Sequence, residues 1–139
     1  MTWTALYVAS KAGYALDGRL GVTGGPEVDP SSYDAYGPGE VAAAQWGNAA
    51  VGLLGVALLA VPLLPVSRRL PRRAVVAPLA VFALLALAGG IGMIARALTS
   101  DAGGAVFGGY CLVWAALIAM TARARFRAGV TAPGAASRR

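Results

Sequence analysis

The chemistry open to this chain rests on few residues: the six acids Asp17, Glu27, Asp29, Asp34, Glu40 and Asp101, the single lysine Lys11, one cysteine (Cys111) and no histidine. Without a histidine base, serine or cysteine nucleophiles have no partner of the usual kind. One cysteine forbids an intrachain disulfide, and zinc sites of the Cys/His type are excluded. Gly21-Val22-Thr23-Gly24-Gly25 lacks the lysine–serine/threonine pair and following helix of a phosphate loop. No metal or cofactor is expected. Carboxylates, Lys11, amides and tyrosines remain.

Those groups concentrate in one region. Ser31 to Glu40 combines Tyr33, Asp34 and Tyr36 with the turn Gly37-Pro38-Gly39, a segment able to cap helices and line a pocket. The same tyrosines could instead anchor at lipid headgroups. Glu40 could occupy the first turn of a helix, where a negative charge is favoured, or pair with Lys11 or Arg19. Gln45 and Asn48 stand three apart beside Trp46, on one helical face, as packing glue or as a polar ligand site. Arg96 with Asp101 reads as a headgroup contact or local ion pair, or as a contact to an anionic ligand.

The elements that must position these residues are apolar helices. Of 139 residues, 58% are apolar and only 13% charged, and the mean hydropathy is +0.64; a soluble domain carries roughly 25% charged residues. Stretches at 46–64, 74–95 and 104–122 are each long enough to cross a hydrocarbon core of about 30 Å at ~1.5 Å per residue. Pro62 and Pro78 fall near span ends, where a lost hydrogen bond costs least. Residues 2–16 form a shorter fourth candidate, about 24 Å as a helix, with Lys11 snorkelling and Trp3 and Tyr14 marking the two headgroup regions. The alternative for that segment is a helix lying at the interface, leaving three spans.

Charge supplies an orientation. Arg68, Arg69, Arg72 and Arg73 lie in one short loop, and Arg123, Arg125, Arg127, Arg138 and Arg139 follow the last span. The positive-inside rule places both groups in the cytoplasm, so the loop at 17–45 and the turn at 99–103 face outward and both termini face inward. All six acids fall in the outward regions. The expected fold is therefore all-α: a membrane bundle of four transmembrane helices (three if the first lies flat), with residues 1–127 as one domain and 128–139 as a disordered cytoplasmic tail. The net charge of +6 is topological on this reading and does not call for nucleic acid. Small residues four apart recur at Ala43/Gly47, Ala86/Gly90, Ala88/Gly92, Gly104/Gly108 and Ala115/Ala119, a spacing that permits close helix approach.

The layout has a counterpart. Tyr-Ala-Leu-Asp-Gly-Arg-Leu-Gly at 14–21, the Gly/Pro-rich loop, Ala-Gln-Trp-Gly-Asn at 44–48 and three further spans resemble small four-helix membrane proteins of high-GC bacteria grouped as a domain of unknown function. The resemblance extends over about residues 1–127 and implies a bundle in the cytoplasmic membrane, with no activity attached. The functional expectation is a binding or accessory protein. Its outer face would hold a lipid, a hydrophobic molecule or another membrane subunit through Lys11, Tyr33, Asp34, Tyr36, Glu40, Gln45, Trp46, Asn48 and Arg96. The rivals are an intramembrane enzyme for a lipid-like or isoprenoid substrate, using outer-mouth acids, and a subunit of an oligomeric transporter or homo-oligomer.

Overall fold

The computed structural model describes residues 1–101 and 103–128, and the expected tail lies almost wholly outside them. Among the described residues there are four α-helices and no strand: α1 (Thr2–Leu16), α2 (Glu40–Ala60), α3 (Arg72–Thr99) and α4 (Ala105–Ala128). Short 3₁₀ turns at Pro30–Tyr33, Val61–Leu63 and Pro65–Arg68 serve the connections. α2 with its following turn, α3 and α4 are long and apolar enough to cross a membrane; α1, at 15 residues, is about 22 Å long.

Local chemistry explains the ends. α1 stops at a Schellman arrangement, in which left-handed Gly18 (φ 62°) donates to Ala15 O at 3.2 Å and Arg19 N donates to Tyr14 O at 2.9 Å. α2 starts six residues before the apolar stretch at 46–64. Left-handed Gly39 (φ 79°) turns the chain into it, and the Glu40 carboxylate accepts from Gly37 N at 2.8 Å. At the end of α3 the hydroxyls of Thr99 and Ser100 donate to Ala95 O and Arg96 O, both at 2.9 Å, so two terminal carbonyls keep partners. α4 continues beyond the apolar stretch through Arg123, Arg125 and Arg127.

The helices pair antiparallel, α1 with α2 and α3 with α4. Along the first pair Thr4 meets Gly55, Val8 and Tyr7 meet Gly52, and Lys11 meets Gln45. Buried α2 positions Gln45, Ala49, Gly52, Gly55 and Leu59 repeat every three or four residues and make one face. The α3–α4 pair closes around Gly90 and Gly108: a Cβ on either would sit 3.0 Å from the other's carbonyl oxygen. Of the small-residue pairs in the sequence, those containing Gly90 and Gly108 make this crossing, whereas a Cβ on Gly47 or Gly92 would meet nothing within 4 Å.

Aromatic rings join the two pairs. Trp3 stacks on Tyr110 (ring centroids 4.9 Å apart), Tyr7 and Tyr110 lie beside Trp114 at 5.5 and 5.8 Å, and Phe82 meets Trp114 edge-on at 5.2 Å. Trp114 Nε1 donates to Thr4 Oγ1 at 3.0 Å. Trp3, half-buried, thus packs on α4 through its ring face and its indole N–H. Because Thr4 reaches Trp114, near the middle of α4's apolar stretch, α1 lies along only one half of the bundle, the half nearest the long loop. The other half is closed by Leu59, Val75, Leu79, Ile118 and Ala122. Outward-facing side chains are apolar too: Leu54, Leu84, Leu85 and Val106 are 70, 64, 66 and 76% exposed. A surface of that kind suits a hydrocarbon solvent, not water.

Candidate binding site at the loop end

The loop at 17–39 folds over one end of the bundle and is fastened at three places. Gly24 O accepts from Phe107 N at 2.9 Å, which gives a partner to one of the orphan amides in the first turn of α4. Pro26 bridges to Gly103 beside it. Ser10 Oγ accepts from Thr23 N and pairs with Thr23 Oγ1, both at 2.8 Å, tying the strap to α1. Gln45 makes the third attachment. Its Nε2 donates to Arg19 O at 2.9 Å and Gly21 O at 3.0 Å, and its Oε1 accepts from Lys11 Nζ at 3.1 Å. Lys11 Nζ also donates to Gly21 O at 2.7 Å and lies 5.9 Å over the Tyr7 ring. Gln45 is only 1% exposed, and every hydrogen-bonding atom of its amide faces a partner.

This latch fits an amide at position 45 because both an acceptor and two donors are needed. Gln45→Leu keeps the volume and removes all three bonds, leaving two carbonyls and an ammonium short of partners. It is expected to lower unfolding free energy by about 2 kcal/mol and to speed amide exchange at Gly21 to Gly24. Adding Lys11→Met costs less than the sum of the two single changes, because both act on one network. SDS-titrated unfolding of the four proteins measures the coupling; strict additivity would show that Lys11 and Gln45 act separately.

The strap, α1 and α4 line a half-open cavity of about 380 Å³, whose open side runs past the exposed Leu6 and Val106. Leu6, Tyr7, Val22, Val106, Phe107 and Tyr110 make its walls, with Ser10 and Thr23 at the rim. Its lining is mostly hydrocarbon and ring, with hydroxyls at one edge, the make-up of a site for an apolar ligand. A second, polar groove of about 440 Å³ lies on the loop's other side, lined by Tyr14, Arg19, Glu27, Tyr33 and backbone of residues 20–28.

The structure brings together some of the residues singled out from the sequence. Lys11 and Gln45 share the latch, and Tyr33 lines the polar groove, where its hydroxyl accepts from Leu20 N at 3.0 Å. Glu40 is spent on Gly37 N and not on Lys11. Asp34 ends the 3₁₀ turn Pro30–Tyr33 and is exposed, as are Tyr36, Asn48 and Arg96. Trp46 is 48% exposed. Gln45 faces the interior and Asn48 the surroundings, so the pair does not form one polar face. Asp29, one of the six acids, holds the same turn: its Oδ1 accepts from Ser31 Oγ at 2.6 Å and Ser31 N at 2.8 Å, and these donors keep its carboxyl below the ordinary carboxylate range.

The cavity walls were not singled out from the sequence. Their signal is helical spacing of rings, at 3 and 7 on α1 and at 107, 110 and 114 on α4. That spacing marks a face but leaves open whether it meets lipid, a ligand or another helix. No protein-family model, curated protein or solved structure matches the chain.

Proposed function

We propose that this chain is a small multi-pass membrane protein that binds an apolar molecule, most simply a lipid acyl chain, in the cavity beneath the Val22–Gly24 strap. It acts by holding that molecule or presenting it to a membrane partner. The carrying observation is the cavity itself, apolar and ring-lined, with its hydroxyls confined to the rim. The proposal places the loop end outside and the arginine end in the cytoplasm, since every acid falls on the first side and the arginine clusters on the second. α2, α3 and α4 cross the membrane. α1 is a fourth, shorter segment inserted in the loop-side half: its antiparallel seat along α2 favours insertion over a flat interfacial position, and its N-terminus is directed toward the middle of the bundle. The likeness in layout to small four-helix proteins of the bacterial cytoplasmic membrane belongs to the same reading.

An accessory role is favoured over chemistry because Glu40 and Lys11 are engaged with separate structural partners, Gly37 N in one case and Gly21 O with Gln45 in the other. General acid–base work needs such groups within reach of one reacting atom. The test is native mass spectrometry of the full chain released from nanodiscs. The wild type in phosphatidylcholine discs is expected to retain a lipid in this cavity, and Leu6→Trp, which fills the cavity from its mouth, to reduce that retention about tenfold, the equivalent of ~1.4 kcal/mol. Retention unchanged in Leu6→Trp would remove the cavity as the binding site.

A further inference from the structure

The opposite end of the bundle carries a second site. There Pro71, Arg72, Arg73 and Phe126 line a cavity of about 490 Å³ between the start of α3 and the end of α4. Arg72 stands over a ring within it. Its guanidinium carbon lies 3.3 Å from the centroid of the Phe126 ring, so the plane of the group is supported by the ring and its N–H edges remain available. Arg125 is otherwise engaged, donating to the hydroxyl of Ser67, which is 5% exposed. That contact fixes the end of α4 on the connection that leads into α3. The two arginines facing the cavity are therefore presented by a braced frame, not by a loose loop.

Charge makes the site unbalanced. Residues 61–75 and 116–128 together hold Arg68, Arg69, Arg72, Arg73, Arg123, Arg125 and Arg127, and no acid at all. Nothing within these segments can neutralise Arg72 and Arg73. The N-cap of α3 is Pro71, which supplies no side-chain cap; Ala74 N donates to Pro71 O at 2.9 Å, and the amides of Arg72 and Arg73 precede it in the first turn. The apolar wall is Phe126, 52% exposed, about one helical turn beyond the end of the apolar stretch at Ala122. Fork-shaped cationic donors next to a ring, at the edge of an apolar surface, match a phosphodiester with an acyl chain attached.

We infer that the cavity between the start of α3 and the end of α4 binds the phosphate of an anionic phospholipid, held by Arg72 and Arg73 with Phe126 against the first part of its chains. The chemistry recognised is phosphate. Attachment to a lipid is what the adjacent apolar wall adds. The inference rests on α3 and α4 crossing a membrane, and it does not depend on the loop-end cavity.

The test uses the full chain in nanodiscs of phosphatidylcholine with a minority of phosphatidylglycerol. Incorporation of the wild type into the discs checks the membrane reading by itself. Native mass spectrometry of protein released from the discs then counts which lipid is retained. The wild type is expected to retain phosphatidylglycerol above its share in the disc. Arg72→Gln and Arg73→Gln are each expected to lower that preference about fivefold, the equivalent of ~1 kcal/mol per basic residue at the membrane surface. Arg123→Gln removes the same charge from the same end but does not line the cavity, and is expected to keep most of the preference. Equal losses in all three variants, or no preference in the wild type, would overturn the site, because either result reports diffuse surface charge. Displacement of the retained lipid by millimolar inorganic phosphate would overturn the lipid assignment and leave a soluble phosphate as the ligand. Full incorporation without selectivity counts against this site alone.

Discussion

Trp114→Ala is expected to lower the unfolding free energy by about 3 kcal/mol, the low end of the range for removing a buried tryptophan. The low end applies because the separated helices would already hold this ring in lipid, so the transfer part of the usual loss is absent and packing is the part removed. That packing is extensive. Trp114 is 7% exposed, lies within 6 Å of the rings of Tyr7, Phe82 and Tyr110, and donates to Thr4 Oγ1. It connects α4 with both α1 and α3, so its loss loosens the joint between the two antiparallel pairs. Trp114→Phe keeps much of the ring contact but leaves the hydroxyl of Thr4, which is 0% exposed, without its indole partner; about 1 kcal/mol is expected. SDS-titrated unfolding in mixed micelles measures both. A loss below about 0.5 kcal/mol for the alanine variant, the size of an ordinary surface change, would mean that the aromatic cluster does not hold the pairs together.

The cluster also shows what could be read from the sequence and what could not. The long helices were legible because apolar runs of that length have few other uses, and the core of each lies where the runs predict. Their ends were less legible. α2 begins at Glu40 although hydropathy falls off near Gln45, because the loop covers that turn and gives Gln45 an interior to face. α4 passes the apolar limit at Ala122 because Ala-Arg-Ala-Arg continues as good helix former in any polar setting.

Pairing between elements was hidden for a different reason. Periodicity identifies a face but not the face opposite, so nothing local joins Trp3 to Tyr110, Thr4 to Trp114 or Lys11 to Gly21. Trp3 near a terminus invites a headgroup position; its indole also donates to Tyr110 O at 3.2 Å, a partner that no local pattern announces. In the long loop the breakers at Gly24-Gly25-Pro26 announced turns, but only folding shows the strap reaching across to Phe107 and lining the cavity. The contacts of α2 were concealed by spacing. Gly52 and Gly55 are three apart, outside the four-residue pattern of close approach, yet a Cβ on Gly52 would stand 2.7 Å from Val8 of α1, and one on Gly55 2.7 Å from Phe82 of α3 and 3.4 Å from Thr4 of α1.

Glycine at the α3–α4 crossing supports the second large expectation. Gly108→Val should destabilise the folded bundle by about 2–3 kcal/mol, the cost of forcing branched bulk into a closed contact. A Cβ at 108 would stand 2.7 Å from Ile94 Cγ1, 3.0 Å from Gly90 O and 3.1 Å from Ile94 N. A side-chain tip can move, but two of these three atoms are backbone, so relief requires the helices to separate. Separation would propagate: Trp114, further along α4 and turned partly toward α1, also meets Phe82 of α3, and that contact depends on the same interhelical distance. Gly92→Ala supplies the contrast. With nothing within 4 Å of its Cβ, it is expected to be neutral or to gain up to about 1 kcal/mol, since alanine is the better helix former. The sign of the difference between the two variants therefore distinguishes a packing constraint from a propensity effect. Equal stability of Gly108→Val and wild type in SDS-titrated unfolding would refute the close crossing. Loss in Gly108→Val with no loss in Gly92→Ala locates the constraint where the Gly90 and Gly108 backbones meet.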